Sequence, residues 1–339
     1  MTHPAIVRAA YLHLYFDLLR ELGIPIRSTL ASSRLPYLIE ENPDAYVSLP
    51  WGLECVARAV RDIAPSELAF LSSRRVTLDC FSESLQASLH DATSGLARIE
   101  RYFRLIAVED SSLTTSIERE GDFIRLVKDL RYLNAHPDIC LAEWVNIGAT
   151  IAVIRSFAGP HWSPTEICLA SRQLPPDAAF EQFGATRIRI GQPRTSILVE
   201  AEILARPGGE APLHTPNRGE NMGSGDGVAV CWTLKTALRA AILPYISEGR
   251  HSLSWAAELT GMSPRTLQRR LRICGTSYSA VVQEARIERA RALLSDASLS
   301  VTNVAMSSGY EHPQHFSRAF RRLTGVAPSA YRRFASQAG

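Results

Sequence analysis

The sequence predicts a multidomain protein, with an α+β domain followed by an all-α domain in which a long helix joins two helix-turn-helix units. Three observations support this fold class. The chain has 339 residues, more than one ordinary hydrophobic core accommodates. The segment 206–227 contains six glycines and three prolines, a composition typical of flexible linkers. Hydrophobic periodicity is mixed before this segment and helical after it. We therefore expect domains at 1–205 and 228–339.

The first part of the N-terminal domain has helical periodicity. Apolar side chains recur every three or four residues in segments 6–22, 49–60 and 82–106. The second segment begins with Leu49 and Pro50, and proline is favoured in the first turn of a helix. We expect three amphipathic helices here.

Farther along the N-terminal domain the pattern alternates as in β-strands. Residues 113–120 and 123–127 flank a Gly-Asp pair and predict a β-hairpin. Helical periodicity returns at 141–157, and further strands are expected at 166–170, 186–190 and 196–204. Helices followed by a small antiparallel sheet predict the α+β class.

Charge is divided unevenly along the chain. Residues 228–339 contain 15 Lys and Arg against 6 Asp and Glu, a net charge of +9, whereas residues 1–227 contain 22 against 28, a net charge of −6. All but two of the basic residues are arginines, which bind phosphate and guanine in bidentate geometry. Genomic codon bias would produce the same preference. The basic half is therefore a candidate for binding phosphates.

Cysteine usage and the N-terminus bear on the cellular compartment. The six cysteines lie far apart with no CxxC pair, which favours buried thiols in a reducing compartment over a metal site. The sequence Met-Thr-His-Pro does not begin a secretory signal, and no run of eighteen uncharged apolar residues occurs. We expect a cytoplasmic, nucleoid-associated protein with no cofactor, no metal and no membrane contact.

A short basic helix is predicted after Gly261. Ser263 suits the N-cap and Pro264 the first helical position, while Leu267 and Leu271 are spaced to be buried together. The residues left on the outer face are Arg265, Thr266, Gln268, Arg269 and Arg272. Such a helix fits the major groove of DNA, where arginine pairs with guanine and glutamine with adenine. An ordinary helical hairpin with a solvated basic face would show the same pattern.

A second segment after Gly309 repeats this design. Phe316, Phe320 and Leu323 form its predicted buried stripe, and the outer face carries Gln314, His315, Ser317, Arg318, Arg321 and Arg322. Between the two segments, residues 279–294 predict a helix about 24 Å long. This length suits a spacer between two recognition helices one DNA turn, about 34 Å, apart. The pair of segments favours DNA recognition over a plain hairpin.

Sequence motifs in this region resemble the AraC/XylS DNA-binding domain. The resemblance rests on Ser263-x-x-x-Leu267-x-Arg269, Gly275, Arg286-x-x-x-Ala290-x-x-Leu293-Leu294, Val304-Ala305, Gly309-Tyr310, His315-Phe316-Ser317-Arg318-Ala319-Phe320-Arg321-Arg322, Gly325, Pro328 and Tyr331-Arg332. It implies recognition helices in adjacent major grooves, with base contacts from Arg265, Gln268 and Arg269 in one helix and Gln314, His315 and Arg318 in the other. Pro313 stands where family members often have a polar base contact, so this position offers apolar contact alone.

The N-terminal domain resembles the arabinose-binding-like effector domain of the subgroup that includes ornithine-utilisation and VirS-type regulators. The matching residues are Ser82-x-x-Leu85-x-x-Ser88-Leu89, Arg101-Tyr102-Phe103-Arg104-Leu105, His161-Trp162-Ser-Pro164, Phe183-Gly184 and Arg189-Ile190-Gly191-Gln192. This resemblance implies a module that senses a ligand or mediates dimerisation. The early helices are unlike a cupin barrel.

Together these features predict a bacterial transcription factor. Its expected partners are promoter or operator double-stranded DNA, RNA polymerase, a small-molecule effector whose binding residues the sequence does not identify, and a second copy in a homodimer. The alternative is an enzymatic or metabolite-modifying N-terminal domain fused to a DNA-binding domain. His161 beside Trp162 would be its candidate base, but a lone histidine near an aromatic ring is more often a packed or loop residue. No catalytic carboxylate pair, phosphate loop or GxSxG motif accompanies it. We therefore do not expect an enzyme.

Overall fold

The computed structural model describes residues 3–60, 62–130, 133, 135–207 and 232–335. Most of the predicted linker, residues 208–227, lies outside the described residues, as does the start of the second domain up to residue 231. The domain limits 1–205, 206–227 and 228–339 therefore stay predictions.

The N-terminal part mixes helices and strands. Its elements in chain order are β1 (Ile6–Arg8), α1 (Ala10–Glu21), α2 (Ile26–Ala31), β2 (Tyr46–Ser48), α3 (Leu49–Ala59), α4 (Pro65–Ser73), α5 (Glu83–His90), α6 (Gly95–Glu109), β3 (Thr114–Glu120), β4 (Phe123–Asp129), α7 (Ile139–Ala158), β5 (Glu166–Cys168), α8 (Asp177–Gln182), β6 (Arg187–Arg189), β7 (Ser196–Glu200) and α9 (Ala201–Leu204). Short 3-10 turns occur at Ile39–Glu41 and Leu78–Cys80. The α+β class is confirmed.

The strands form two sheets. The larger sheet has the order β3-β4-β7-β5-β6, and its neighbours are antiparallel except for the parallel pair β5–β6. The predicted hairpin is confirmed as β3 and β4, with Gly121 at φ +64° in the turn. The smaller sheet pairs β1 with β2 in antiparallel register. Alternation of polar and apolar residues within one strand does not indicate which strand pairs with it. The parallel pairing of β5 with β6 could therefore not be predicted from the sequence pattern.

Three segment limits predicted from periodicity were wrong. The helix expected at 6–22 begins at Ala10, because β1 pairs with β2, some forty residues away in the chain. The helix expected at 82–106 is two helices, since Ser94 caps α6 by accepting a hydrogen bond from the Ala97 backbone N at 3.2 Å. The strand expected at 196–204 ends at Glu200, where α9 begins. In the first case a distant strand partner overrides the local pattern, and in the second case a helix cap does so.

Helix α7 lies at the centre of the N-terminal part. It is long and apolar enough to cross a membrane, but most of its residues are buried inside the protein. Gly148 brings it close to α4, because a Cβ at this position would lie 2.5 Å from the Ser73 carbonyl oxygen. Its buried Glu143 carboxylate accepts hydrogen bonds from the backbone N of Ala170 (2.6 Å) and Ser171 (3.1 Å). These contacts are those of a core helix.

The C-terminal part is helical throughout the described residues. Its elements are α10 (Leu234–Ile242), α11 (Leu253–Leu259), α12 (Pro264–Ile273), α13 (Tyr278–Leu294), α14 (Val301–Ser307), α15 (Pro313–Thr324) and α16 (Pro328–Ala335), with a 3-10 turn at Leu243–Tyr245. Helices α11 and α12 form the first helix-turn-helix unit, α14 and α15 form the second, and α13 joins them. The predicted all-α class with two units and a long joining helix is confirmed.

Two hydrophobic cores support these helices. The larger core runs without interruption from the N-terminal part into α10, α11, α12 and the first half of α13. The smaller core joins the second half of α13 to α14 and α15, with Tyr331 of α16 packed against it. Helix α13 is therefore shared between the two cores, and each helix-turn-helix unit belongs to a different one.

Candidate nucleic-acid interface

The turn and cap of the first unit follow the predicted design. Gly261 lies between α11 and α12 at φ +62°, in the left-handed region that favours glycine. Ser263 Oγ accepts a hydrogen bond from the backbone N of Thr266 at 3.2 Å, and Pro264 is the first residue of α12. These local interactions fix where α12 begins and how it leaves the turn.

The two faces of α12 differ sharply in exposure. Leu267 and Leu271 are fully buried and attach the helix to the domain. Four predicted contact residues are exposed on the other face: Arg265, Gln268, Arg269 and Arg272. Thr266 is half-buried, and its hydroxyl lies 2.9 Å from the Ser263 hydroxyl. Thr266 therefore takes part in the cap, while the other four present their side chains to solvent.

Helix α15 has the same construction. Gly309 lies in the preceding turn at φ +79°, and Pro313 begins the helix. The N-cap residue His312 makes no side-chain capping bond, so the fixed φ of Pro313 is the local feature that favours helix initiation here. Phe316 and Phe320 are fully buried, and their rings lie 5.5 Å apart.

The exposed face of α15 carries most of the predicted contacts. Gln314, His315, Arg318 and Arg322 are exposed, as is Arg321, whereas Ser317 is half-buried. The prediction that Leu323 is buried was wrong, because its side chain is 42% exposed. The ring of Tyr331 from α16 lies 5.5 Å from that of Phe320, and it covers the core that Leu323 was expected to complete.

The arginines of the two exposed faces differ from those of the N-terminal part in their partners. Within the described part of the chain, Arg265, Arg269, Arg272 and Arg318 form no ion pair. Many N-terminal arginines are paired with carboxylates, as in the pairs Arg8–Asp44, Arg75–Glu21, Arg125–Glu166 and Arg194–Glu118. Unpaired guanidinium groups on an exposed helix face are available to an anionic ligand such as a phosphate backbone.

Helix α13 holds the two units apart. It spans 17 residues, which corresponds to about 25 Å. Its Glu284 binds Lys235 of α10 at 2.8 Å, and its Glu288 binds Arg239 at 3.1 Å. Next to Glu288, Arg289 Nε donates a hydrogen bond to the carbonyl oxygen of Ser307 in α14 at 2.7 Å. The predicted spacer helix is confirmed, and contacts from its middle hold it to α10 on one side and to α14 on the other.

A polar groove between α13 and α15 was not predicted from the sequence. Gln283, Arg286, Tyr310, His315 and Arg318 are among its lining residues. The Arg286 guanidinium lies over the Tyr310 ring, 5.3 Å from its centroid, and the Tyr310 hydroxyl donates a hydrogen bond to Gln283 Oε1 at 2.8 Å. Arg286 belongs to α13, and only the fold brings it beside α15.

The first unit also contacts the N-terminal part directly. The Trp255 ring lies 5.5 Å from that of Trp51, and the Trp232 ring lies 5.1 Å from that of Tyr46. Tyr245 donates a hydrogen bond to the Arg34 carbonyl oxygen at 2.8 Å. Trp255 belongs to α11 of the first unit, whereas Trp232 and Tyr245 precede it. The segment of β2 and α3 therefore supports both the first unit and the chain that leads into it.

The remaining candidate of the sequence, His161, lies in a loop. Its side chain is exposed at the edge of a depression lined by Arg74, Arg155 and Gln182 among other residues. This position corresponds to the loop interpretation of a lone histidine, and the depression brings His161 beside arginines instead of a carboxylate that would orient it as a base.

Two family models match the chain. The first, described as the arabinose-binding N-terminal domain of the AraC transcription regulator, matches residues 23–208, and a helix-turn-helix domain matches residues 256–333. The second match contains all of the predicted contact residues on α12 and α15. The first match covers more than half of the chain.

Individual relatives agree with the family models. The HTH-type transcriptional regulator VirS of Mycobacterium tuberculosis is 24% identical over 340 residues, which cover 99% of this chain and 98% of the relative. The regulator GlxA of Rhizobium meliloti is 41% identical over 78 residues, or 23% of this chain and 24% of the relative. The crystal structure of the transcriptional regulator CdpR from Pseudomonas aeruginosa has a TM-score of 0.36 and 21% identity, covering 83% of this chain and 91% of that chain.

Proposed function

This chain belongs to the AraC family of transcription regulators and is a DNA-binding regulator with an effector-binding type of N-terminal domain, and on this premise we propose that it recognises its operator through α12 and α15. The observation that carries the proposal is the pair of exposed faces with unpaired arginines, each attached by two buried apolar side chains. Helix α13 sets their separation.

The proposed contacts fall into two classes. Arg265, Gln268 and Arg269 of α12, with Gln314, His315 and Arg318 of α15, point outward and would contact base edges in adjacent major grooves. Arg272, Arg322 and Ser317, at the flanks of these faces, would contact phosphates, which supply affinity independent of sequence. Thr266 would act through the Ser263 cap that it completes.

Further partners belong to the same proposal. The match to an arabinose-binding domain supports a small-molecule effector for the N-terminal part, and relatives that are transcriptional regulators support action on promoter DNA with RNA polymerase. We also propose that the protein is a homodimer, works in the cytoplasm at the nucleoid and has no catalytic activity. The domain limits 1–205 and 228–339 are proposed as the sensing and DNA-binding parts.

Binding-site selection from random DNA duplexes with the full-length protein tests this function. We expect two recognition sequences about one helical turn apart. Arg269→Ala and Arg318→Ala should each weaken binding to the selected site by about 1–3 kcal/mol and relax base preference in a different half of it.

Arg75→Ala is the matched control, because Arg75 is bound to Glu21 on the N-terminal part. It should leave both affinity and base preference unchanged. Unaltered footprints and affinities in both recognition-helix variants would contradict the proposed contacts, as would selection of DNA without a common sequence.

A further inference from the structure

An apolar cleft lies inside the N-terminal part, between α1, α3 and α7 and the small β1–β2 sheet. Atom-free space in the cleft amounts to about 590 Å³ including its open side, of which about 50 Å³ is wide enough for the centre of a water molecule. Its walls include Leu12, Val47, Leu53, Val56, Val145 and Ala149. The cleft is therefore narrow, and most of its surface is aliphatic, as in sites for apolar ligands.

Gly52 is an unusual residue for the wall of this cleft. It lies inside α3, where glycine destabilises a helix relative to alanine. A Cβ at Gly52 would meet nothing closer than Leu12 Cδ1 at 3.7 Å, which is ordinary van der Waals contact. Contacts within the protein therefore do not exclude alanine here. The missing methyl group leaves its space to the cleft.

Polar groups occur at a few positions of the wall. The Tyr11 hydroxyl donates to Glu109 Oε2 at 2.5 Å and the Tyr15 hydroxyl donates to the Leu141 carbonyl oxygen at 2.7 Å, so both are occupied. Asp110 Oδ1 accepts from the backbone N of Ser112 at 2.8 Å, whereas its Oδ2 and the side-chain oxygen of Asn146 accept no hydrogen bond from the described residues. These two oxygens can receive a ligand hydroxyl.

The lining also limits the charge of a ligand. No arginine, lysine or histidine is among the described residues that line the cleft, so a carboxylate inside it would lack a cationic partner and would face Asp110. A cationic ligand would have to leave water for a mostly aliphatic wall with one carboxyl group. The narrow shape and this lining fit an uncharged, slender molecule with one hydroxyl.

The wall of the cleft is also the support of the first helix-turn-helix unit. In β2, Val47 lines the cleft while its neighbour Tyr46 contacts Trp232, as the alternation of a strand requires. In α3, Leu53 faces the cleft while Trp51 contacts Trp255. One short segment, 46–53, thus has the cleft on one side and the DNA-binding part on the other.

We propose that this cleft binds an uncharged, mainly apolar molecule with one hydroxyl group, and that its occupancy changes DNA affinity by displacing segment 46–53. This inference rests on the proposed function, since it identifies the place and the chemical class of the effector.

Fluorescence of N-phenyl-1-naphthylamine, an uncharged apolar dye, measures binding to the full-length protein. We expect the dye to bind and 1-octanol to displace it at concentrations roughly tenfold lower than octanoate or octylammonium, a difference of about 1.4 kcal/mol. Absence of dye binding together with an unchanged thermal melting temperature in 1-octanol would overturn the inference. Stronger displacement by either charged compound would overturn the assigned ligand class.

Substitutions that add side-chain volume at Gly52 test whether the ligand binds in this cleft. Gly52→Leu should reduce dye affinity at least about tenfold, while the matched variant Gly184→Leu, at an exposed position where a Cβ meets nothing within 3.7 Å, should bind as the natural protein does. A thermal melting transition shows whether each variant is folded. If Gly52→Leu fails to fold, the comparison is repeated with Gly52→Ala and its control Gly184→Ala, each of which adds a single methyl group. Equal dye affinity within a matched pair would overturn the location.

DNA titration with and without 1-octanol separates this inference from the proposed function. We expect 1-octanol to change the affinity of the natural protein for the selected DNA severalfold, and to leave the affinity of Gly52→Leu unchanged. Displacement of the dye by 1-octanol with unchanged DNA affinity would overturn the coupling through segment 46–53. Sequence-specific DNA binding without binding of the dye or of 1-octanol would overturn the inference and leave the proposed function standing. Dye binding without DNA binding would overturn the proposed function and the coupling, and leave only the ligand site standing.

Discussion

The two helix-turn-helix units have similar local construction and very different surroundings. In both, a left-handed glycine precedes a short helix attached by two buried side chains, Leu267 and Leu271 or Phe316 and Phe320. The first unit is continuous with the core of the N-terminal part, and the second has a small core of its own.

This difference has a consequence for regulation. A change inside the N-terminal part reaches the first unit through packed side chains, among them Tyr46, Trp51 and Tyr245. It reaches the second unit through α13 and through Ile246 of the larger core, which lies beside Gly309 in the turn of the second unit. We therefore expect a conformational change in the N-terminal part to act mainly on α12, and we expect the stability of α15 to be more independent of it.

Removal of one buried ring from each core should have the largest effect. Tyr245 and Phe320 are both fully buried, and truncation of either to alanine should lower the local free energy of unfolding by about 3–5 kcal/mol. In hydrogen exchange of the full-length protein, Tyr245→Ala should increase exchange in α10–α12 together with β2 and α3. Phe320→Ala should increase it within α14–α16 and the second half of α13.

Tyr245→Phe is the control for the first variant, because it keeps the ring and removes only the hydrogen bond to the Arg34 carbonyl oxygen. Its cost should be about 1 kcal/mol. Exchange that rises across both units after Phe320→Ala would show that the two cores unfold together.

Stability of the larger core should depend on pH through Lys128. Burial lowers the pKa of Lys128 to about 7, against 10.5 for the unfolded chain. Between these values the unfolded state holds a proton that the folded state has lost, so the free energy of unfolding should rise with pH by up to about 1.4 kcal/mol per pH unit. This gain is absent below pH 7, where both states are protonated.

Urea unfolding at pH 7.5 and 9 followed by tryptophan fluorescence checks this expectation. All five tryptophans precede α13, so their emission reports the larger core. Lys128→Met should remove the rise with pH. An equal rise in that variant would mean that another group titrates in this window.

The smallest effect is expected from the ion pair at the contact between the two parts. Arg34 Nη1 lies 3.0 Å from Glu258 Oε1, and both side chains are about half exposed. A double-mutant cycle with Arg34→Ala and Glu258→Ala should give a coupling energy of about 0.2–1 kcal/mol that falls with added salt. A coupling energy near 3 kcal/mol would mean that this pair is a main link between the parts.

Local signals made the helix-turn-helix units predictable. Gly261, Ser263 and Pro264 act through neighbouring backbone groups, and Leu267 and Leu271 are one helical turn apart, so their roles follow from spacing. The same reasoning failed at Leu323, because Tyr331 from another helix covers the core there. Periodicity within one segment does not indicate which side chain from another helix will cover the same part of the core.

The other features that could not be predicted from the sequence depend on contacts between residues distant in the chain. Nothing near Trp232 or Trp255 indicates that each packs against a ring more than 180 residues earlier in the chain. The cleft beside Gly52 arises from three helices distant in sequence. Gly52, inside an amphipathic helix, was the one local signal of the cleft. Glycine destabilises a helix, so its presence there indicates a packing or functional role.

The continuity of α13 gives the protein a mechanical lever. A rigid rod about 25 Å long that tilts by about 10° at one end moves its other end by about 4 Å. Adjacent base pairs are about 3.4 Å apart. Because the first half of α13 is anchored in the larger core, a tilt of this size there would move α15, the proposed second recognition helix, by about the spacing of one base pair. A tilt of α13 by this amount would change the half-site spacing that the two helices can span.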